Sequence, residues 1–210
     1  MTQLYRLDRS AAQIAEHFGA RVGQDPWDGG YLTPGQFAPV ITAGREFIAG
    51  PRPAKGRLEP RLVPRLWGVS PPPSSDDPLR RIAHCRNPDS PFWIGNLRNS
   101  EFRCLIPATR FMLWGSETDY EGRRLKHWLT PERAGLFALA GVWKDEDVPG
   151  FALLTRDSTG LAKALGARSM PVVLPADDRA HQTWLHGGWD RAQDLLASTI
   201  TLAEVDAEDS

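Results

Sequence analysis

The chain has 210 residues, 41% of them hydrophobic, enough to bury one substantial core, which favours one domain over several. No run approaches the roughly 18 consecutive apolar residues of a membrane span, no basic stretch followed by an apolar one opens the chain, and Cys85 and Cys104 are the only cysteines. A membrane helix, a secretory leader and a disulfide-stapled scaffold are thereby excluded as expectations, and a cytoplasmic protein is expected. The formal net charge of −1 conceals an asymmetry: Arg45 to Arg110 holds twelve Lys or Arg against six Asp or Glu, while the end carries Glu204, Asp206, Glu208 and Asp209. A basic face of that kind attracts a phosphate backbone, although arginines scattered through a Pro-rich region also serve as a solvated surface.

In chain order, Ser10 to Gly19 predicts the first helix, with Ser10 as N-cap, Ile14, Ala15 and Phe18 on one face and Gly19 as the stop. Gln36–Thr42 and Arg45–Ala49 read as strands, joined as a hairpin across Ala43 and Gly44. Leu62–Val69 is another strand, which Pro64 would confine to an edge or a strand start, and Ser70–Pro78 reads as a loop. Five further short apolar runs, 103–107, 125–129, 136–143, 150–155 and 170–174, predict a sheet-rich core. Asp177–Leu185 and Asp190–Ala197 look like short helices with acidic starts. There is no internal repeat; the reading is a mixed α+β domain over 1–205 followed by an acidic tail, 206–210.

Single residues carry little chemistry by themselves. His84 and Cys85 are adjacent, and neighbours on a strand face opposite ways, so a Cys-His nucleophile is not expected. Cys104 in its apolar run reads as a small buried hydrophobe. His17, His127, His181 and His186 show no zinc-ligand spacing, with His181 and His186 expected at the surface, and no metal or other cofactor is expected.

Five stretches, taken in order, carry more: Met1-Thr-Gln-Leu-Tyr-Arg6, Trp67-Gly-Val-Ser-Pro71, His84-Cys-Arg-Asn87 with Ser90-Pro-Phe-Trp93, Arg103-Cys-Leu-Ile-Pro-Ala108, and Ser169-Met-Pro-Val-Val-Leu174. Together with Phe137–Trp143 and Thr183–Trp189, this set resembles the SOS response-associated peptidase (SRAP) family over about residues 1 to 205. The resemblance implies a curled, barrel-like antiparallel sheet core with peripheral helices. It also implies a basic groove for single-stranded DNA that ends at the protein's N-terminus. The family's chemistry uses a cysteine after the initiator methionine to capture the aldehyde of an abasic site, where this chain has Thr2. The family's Asn falls at His84, its catalytic Glu at Leu113, and its catalytic His at Gly166 or Ala167. A hydroxyl is a poorer nucleophile than a thiolate, and neither Leu nor Gly can carry a proton. Two of these four positions, Thr2 and Leu113, lie beside anchors that need no gap, so the chain reads as a pseudoenzyme of the family.

For DNA, the resemblance marks Arg86 first, then Trp67, Phe92 and Trp93 as rings bordering the groove, Arg6, Arg98 and Arg103 from similar neighbourhoods, and Arg168 in the loop facing the old site. Against DNA binding stands Gly29–Pro34, which lacks the polar residues of the family's second cluster. The expected function is noncovalent binding of single-stranded or abasic-site DNA in a damage-response setting. Two other readings stay open: an enzyme acting through a Thr2 amine freed by methionine removal, and a protein-interaction scaffold that binds no DNA.

Overall fold

The structure, a computed structural model, describes residues 2–23, 27–44, 58–132 and 134–206. The elements in order are β1 (Tyr5–Leu7), α1 (Ala11–Phe18), β2 (Arg21–Val22), β3 (Gly30–Leu32), β4 (Phe37–Thr42), β5 (Arg61–Trp67), β6 (His84–Cys85), α2 (Ile94–Arg98), β7 (Arg103–Ala108) and β8 (Arg110–Thr118). There follow β9 (Arg124–Pro131), β10 (Phe137–Lys144), β11 (Gly150–Asp157), α3 (Gly160–Ala164), β12 (Ser169–Pro171), α4 (Asp178–His186), α5 (Trp189–Ala192) and β13 (Leu202–Val205). None of the described helices is long and apolar enough to cross a membrane.

The strands form two sheets in a mixed α+β fold. One has the order β13-β9-β8-β1-β3 and is antiparallel throughout. The other runs β12-β11-β10-β7-β4-β5-β2, with β6 on β11. It curls until the start of β11 meets the end of β5 in parallel, Gly150 opposite Leu66 and Phe151 opposite Trp67. This seam of two residue pairs leaves the sheet barrel-like and short of a full barrel. Its closeness depends on glycine: a Cβ on Gly150 would lie 2.5 Å from the Gly68 carbonyl oxygen.

Large rings fill the core, and each of its fully enclosed indoles has an acceptor. Trp67 donates to the Ala83 carbonyl at 3.0 Å, Trp143 to Glu101 at 2.9 Å and Trp184 to Cys104 at 2.9 Å. Arg103 is buried with them: its Nε donates to the Trp184 carbonyl at 2.6 Å, one terminal nitrogen to Leu97 at 3.0 Å, and the other to Gly187.

Several expectations need correction. Pro64 does not mark an edge, because β5 is paired on both sides. It lies opposite Pro39, between the residues that pair with β2 (61 and 62) and those that pair with β11 (66 and 67), so its missing N–H interrupts no ladder bond on that side. The strand expected at 45–49 lies outside the described residues, and β4 finds its partners in β5 and β7. The last predicted helix is a single α turn, α5, continued by a 3-10 segment over Gln193–Ala197. His181 is buried between helices, its ring 5.3 Å from that of Phe18. Glu204, counted with the acidic end, sits in β13.

Candidate functional site

The chain enters β1 from a closed corner. Thr2 has no exposed surface, and its carbonyl accepts from His84 Nε2 at 2.5 Å. A carbonyl can only accept, so Nε2 carries the proton in this contact. Burial lowers the His84 pKa, and the bond to the Thr2 carbonyl works the other way. The Trp67 ring backs the imidazole edge-on with centroids 6.0 Å apart. The Thr2 hydroxyl is buried with no hydrogen-bond partner among the described residues.

His84 also faces an open cleft of about 600 Å³, whose wall includes Gln3, Ala83 and the cations Arg80, Arg81 and Arg86. Strand alternation accounts for this: on β6, His84 turns to the cleft while Cys85 turns into the core, where burial pushes its thiol up to about 12 and leaves it inert. Arg81 is held by the Gly68 carbonyl at 3.3 Å and lies 3.9 Å from Glu146, which in turn binds Ser70 through its hydroxyl and backbone N–H. Arg86 meets Asp157 at 2.7 Å, with the two side chains 56% and 83% exposed. A pair so open to water is worth little, and a phosphate can replace the carboxylate at small cost. Three guanidinium groups among the lining residues place positive charge around the cleft.

The structure brings only part of the expected set to this place. Thr2, His84 and Arg86 converge. Trp67 and Trp93 are buried, and Arg103 is tied to three carbonyls, so none of them presents a face to a ligand. Arg6 is mostly covered and bridges to Asp8 at 2.6 Å and the Tyr31 hydroxyl at 3.2 Å. Arg98 and Arg168 are exposed, and among the described residues neither lines the cleft. Phe92 is half-buried beneath Lys144, whose ammonium lies 3.3 Å from its ring centroid. Arg80 and Arg81 were not singled out in advance; their signal was a pair of arginines closing the Pro/Ser loop just before His84.

Leu113 is buried on β8, directly opposite His127 of β9. Gly166 has φ +78°, and a Cβ there would lie 2.1 Å from the Ser116 hydroxyl. Ala167 is buried as well. A histidine therefore has no room at 166 unless β8 moves, so the absence of a side chain there is built into the packing. Gly166→Ala is expected to lower the unfolding free energy by about 2–3 kcal/mol, from the left-handed backbone and the clash together. Urea unfolding of this variant, with and without Ser116→Gly, measures it: the second change should relieve the contacts with the Ser116 side chain and leave the backbone cost and the close approach to the Ser116 nitrogen. Among the described residues no group of three or more His, Cys, Asp or Glu is placed to hold a metal.

The model of the SOS response associated peptidase (SRAP) family matches residues 1–208. The chain belongs to this family. Solved structures with the same fold include a protein from Bordetella bronchiseptica, 17% identical, with a TM-score of 0.70 over 97% of this chain and 99% of that one. A Bacteroides thetaiotaomicron protein is 16% identical, with a TM-score of 0.73 over 98% and 92%. A phage-related protein from B. bronchiseptica is 17% identical, with a TM-score of 0.67 over 97% and 93%. At these identities the likeness speaks for the SRAP fold alone. No curated protein matches the sequence.

Proposed function

We propose that this SRAP-family protein holds single-stranded DNA, including strands with an abasic site, in the arginine-lined cleft, without forming the durable thiol-based crosslink that the family resemblance implies. The observation that carries the reading is that Arg80, Arg81 and Arg86 line one cleft together with His84, the partner of the Thr2 carbonyl. Three cations lining an open cleft suit a flexible, phosphate-bearing strand. The loss of crosslinking is argued from Thr2, Leu113 and Gly166: a hydroxyl in place of a thiol, a hydrocarbon in place of a proton carrier, and a glycine with no room for a ring. A damage-response setting follows as part of the same proposal.

The test is a salt titration of binding to a fluorescent single strand, followed by anisotropy. Three phosphate contacts give a slope of log affinity against log salt of about −2. Arg80→Ala, Arg81→Ala and Arg86→Ala combined should flatten it nearly to zero. Absence of binding at low salt would refute the proposal and favour the scaffold reading. A stable adduct with an abasic strand, formed without reductant, would refute the noncovalent part.

A further inference from the structure

The Pro/Ser stretch between β5 and β6 is a loop closed at its neck. Val69 N–H donates to the Ile82 carbonyl at 3.1 Å, and Ile82 N–H donates back to the Val69 carbonyl at 2.8 Å. Inside the loop, Asp77 Oδ1 accepts from the N–H groups of Leu79 and Arg80 at 3.1 and 3.2 Å, which fixes the turn that delivers Arg80 and Arg81. Pro71 and Ser75 from the loop, and both arginines at its end, line the cleft.

Glu146 is not among the lining residues; it reaches the neck of the loop from the turn between β10 and β11. Its two carboxylate oxygens accept from the Ser70 N–H at 3.1 and 3.0 Å, and Oε2 also accepts from the Ser70 hydroxyl at 2.9 Å. On the other stem, Oε2 lies 3.9 Å from Nη1 of Arg81, the same nitrogen that donates to the Gly68 carbonyl. The base of the Arg81 side chain is pressed against the chain at Gly68, where φ is +130° and a Cβ would lie 2.9 Å from the Arg81 Cβ. Arg81 is thus seated, and a carboxylate anchored to Ser70 keeps its charge beside it. Arg86 is the contrast: its partner Asp157 is 83% exposed and yields to a phosphate at small cost, whereas the Glu146 side chain is 18% exposed and bound to Ser70.

We infer that Glu146 is the positioning residue of the arginine cleft and sets how tightly the cleft holds phosphate. The latch to Ser70 orders the loop that carries Arg80 and Arg81, and the fixed carboxylate offsets the charge of Arg81, which keeps a bound ligand releasable. The inference rests on the reading that the cleft receives a phosphate-bearing ligand.

The experiment measures the affinity of the full-length protein for a fluorescent oligodeoxythymidylate by anisotropy, and for tripolyphosphate by calorimetry. Glu146→Gln keeps an acceptor for Ser70 and removes the charge. It is expected to tighten binding of both probes about threefold at low salt, with the gain shrinking as salt is raised. The gain should vanish in an Arg81→Ala background, as direct coupling requires. Asp147→Asn, the same charge change at an exposed residue of the same turn, should tighten binding by less than about 1.5-fold. Ser70→Ala removes one bond of the latch and leaves the charge, so it should weaken binding and speed hydrogen exchange at the Val69 and Ile82 amides. Thermal melts of all variants separate these effects from loss of fold. Unchanged or weaker binding by a folded Glu146→Gln variant overturns the inference, as does a gain that persists without Arg81 or that Asp147→Asn matches. Unchanged exchange and binding in Ser70→Ala refute the latch. Tripolyphosphate binding with the same dependence on Glu146, but no oligonucleotide binding, brings down the DNA reading and leaves the inference standing. Binding of neither probe by any variant brings down both.

Discussion

Replacing Arg103 with methionine is expected to lower the free energy of unfolding by about 3–5 kcal/mol. The guanidinium has no exposed surface, lies 5.7 Å from the Trp184 ring centroid, and donates to the carbonyls of Leu97, Trp184 and Gly187. These acceptors are at the end of α2 and the end of α4, where helix carbonyls lose their own intrahelical partners. Methionine fills the stem's volume and supplies no donor, so three carbonyls lose their partner in a place that excludes solvent. Burial brings the Arg103 pKa down to about 10, still high enough for the cation to persist at neutral pH. Urea unfolding measures the loss. If Arg103 were instead a phosphate contact, the variant would keep its stability and lose DNA affinity, so measuring both quantities on one sample decides between the two roles.

Trp67→Ala carries an expected cost of similar size, about 3–5 kcal/mol, from the buried surface and the cavity left behind. Its ring lies 5.1 Å from Tyr5 and stacks on Phe151 at 6.2 Å and 12°. Trp67→Phe keeps most of that packing and gives up the bond to the Ala83 carbonyl, for a loss of about 1 kcal/mol. Because the same indole backs His84, the alanine variant should also loosen the Thr2–His84 corner, seen as faster hydrogen exchange at Gln3 and Leu4. A base-stacking role would instead leave the alanine variant stable but weak in binding, with the phenylalanine variant binding DNA nearly as well as the original.

The fold was most legible where structure is local. The first helix came out within a residue because its capping is written in Ser10, Gln13 and Gly19, and α4 because the Asp177 carboxylate accepts the Ala180 N–H at 2.8 Å. The apolar runs of β7, β9, β10 and β11 marked themselves. β8 did not: Arg110 to Leu113 is buried on successive residues, which hides the alternation of a half-exposed strand. The site was legible in a different way. Ordered motifs bring Thr2 and His84 together across a sequence separation that no spacing rule spans, yet the same motifs placed Trp67 and Arg103 at a groove. A motif aligns positions, whereas burial is decided by what packs around them, here three carbonyls and a ring of aromatic neighbours. Glu146 and Ser70 meet only because β11 returns to the end of β5, a pairing that neither segment announces.

The short seam between β5 and β11 also bears on how the chain reaches this shape. Residues 66 and 67 must wait for 150 and 151, whereas β10 and β11 are consecutive antiparallel neighbours and β7 meets β10 across only β8 and β9. Closing that long loop for two residue pairs is entropically the least rewarded step, so it belongs late in folding, after the antiparallel strands have formed a platform. β6 joins β11 through two pairs of its own, Leu153 with His84 and Leu154 with Cys85. The cleft is thus expected to assemble last, on a scaffold of antiparallel strands already in place.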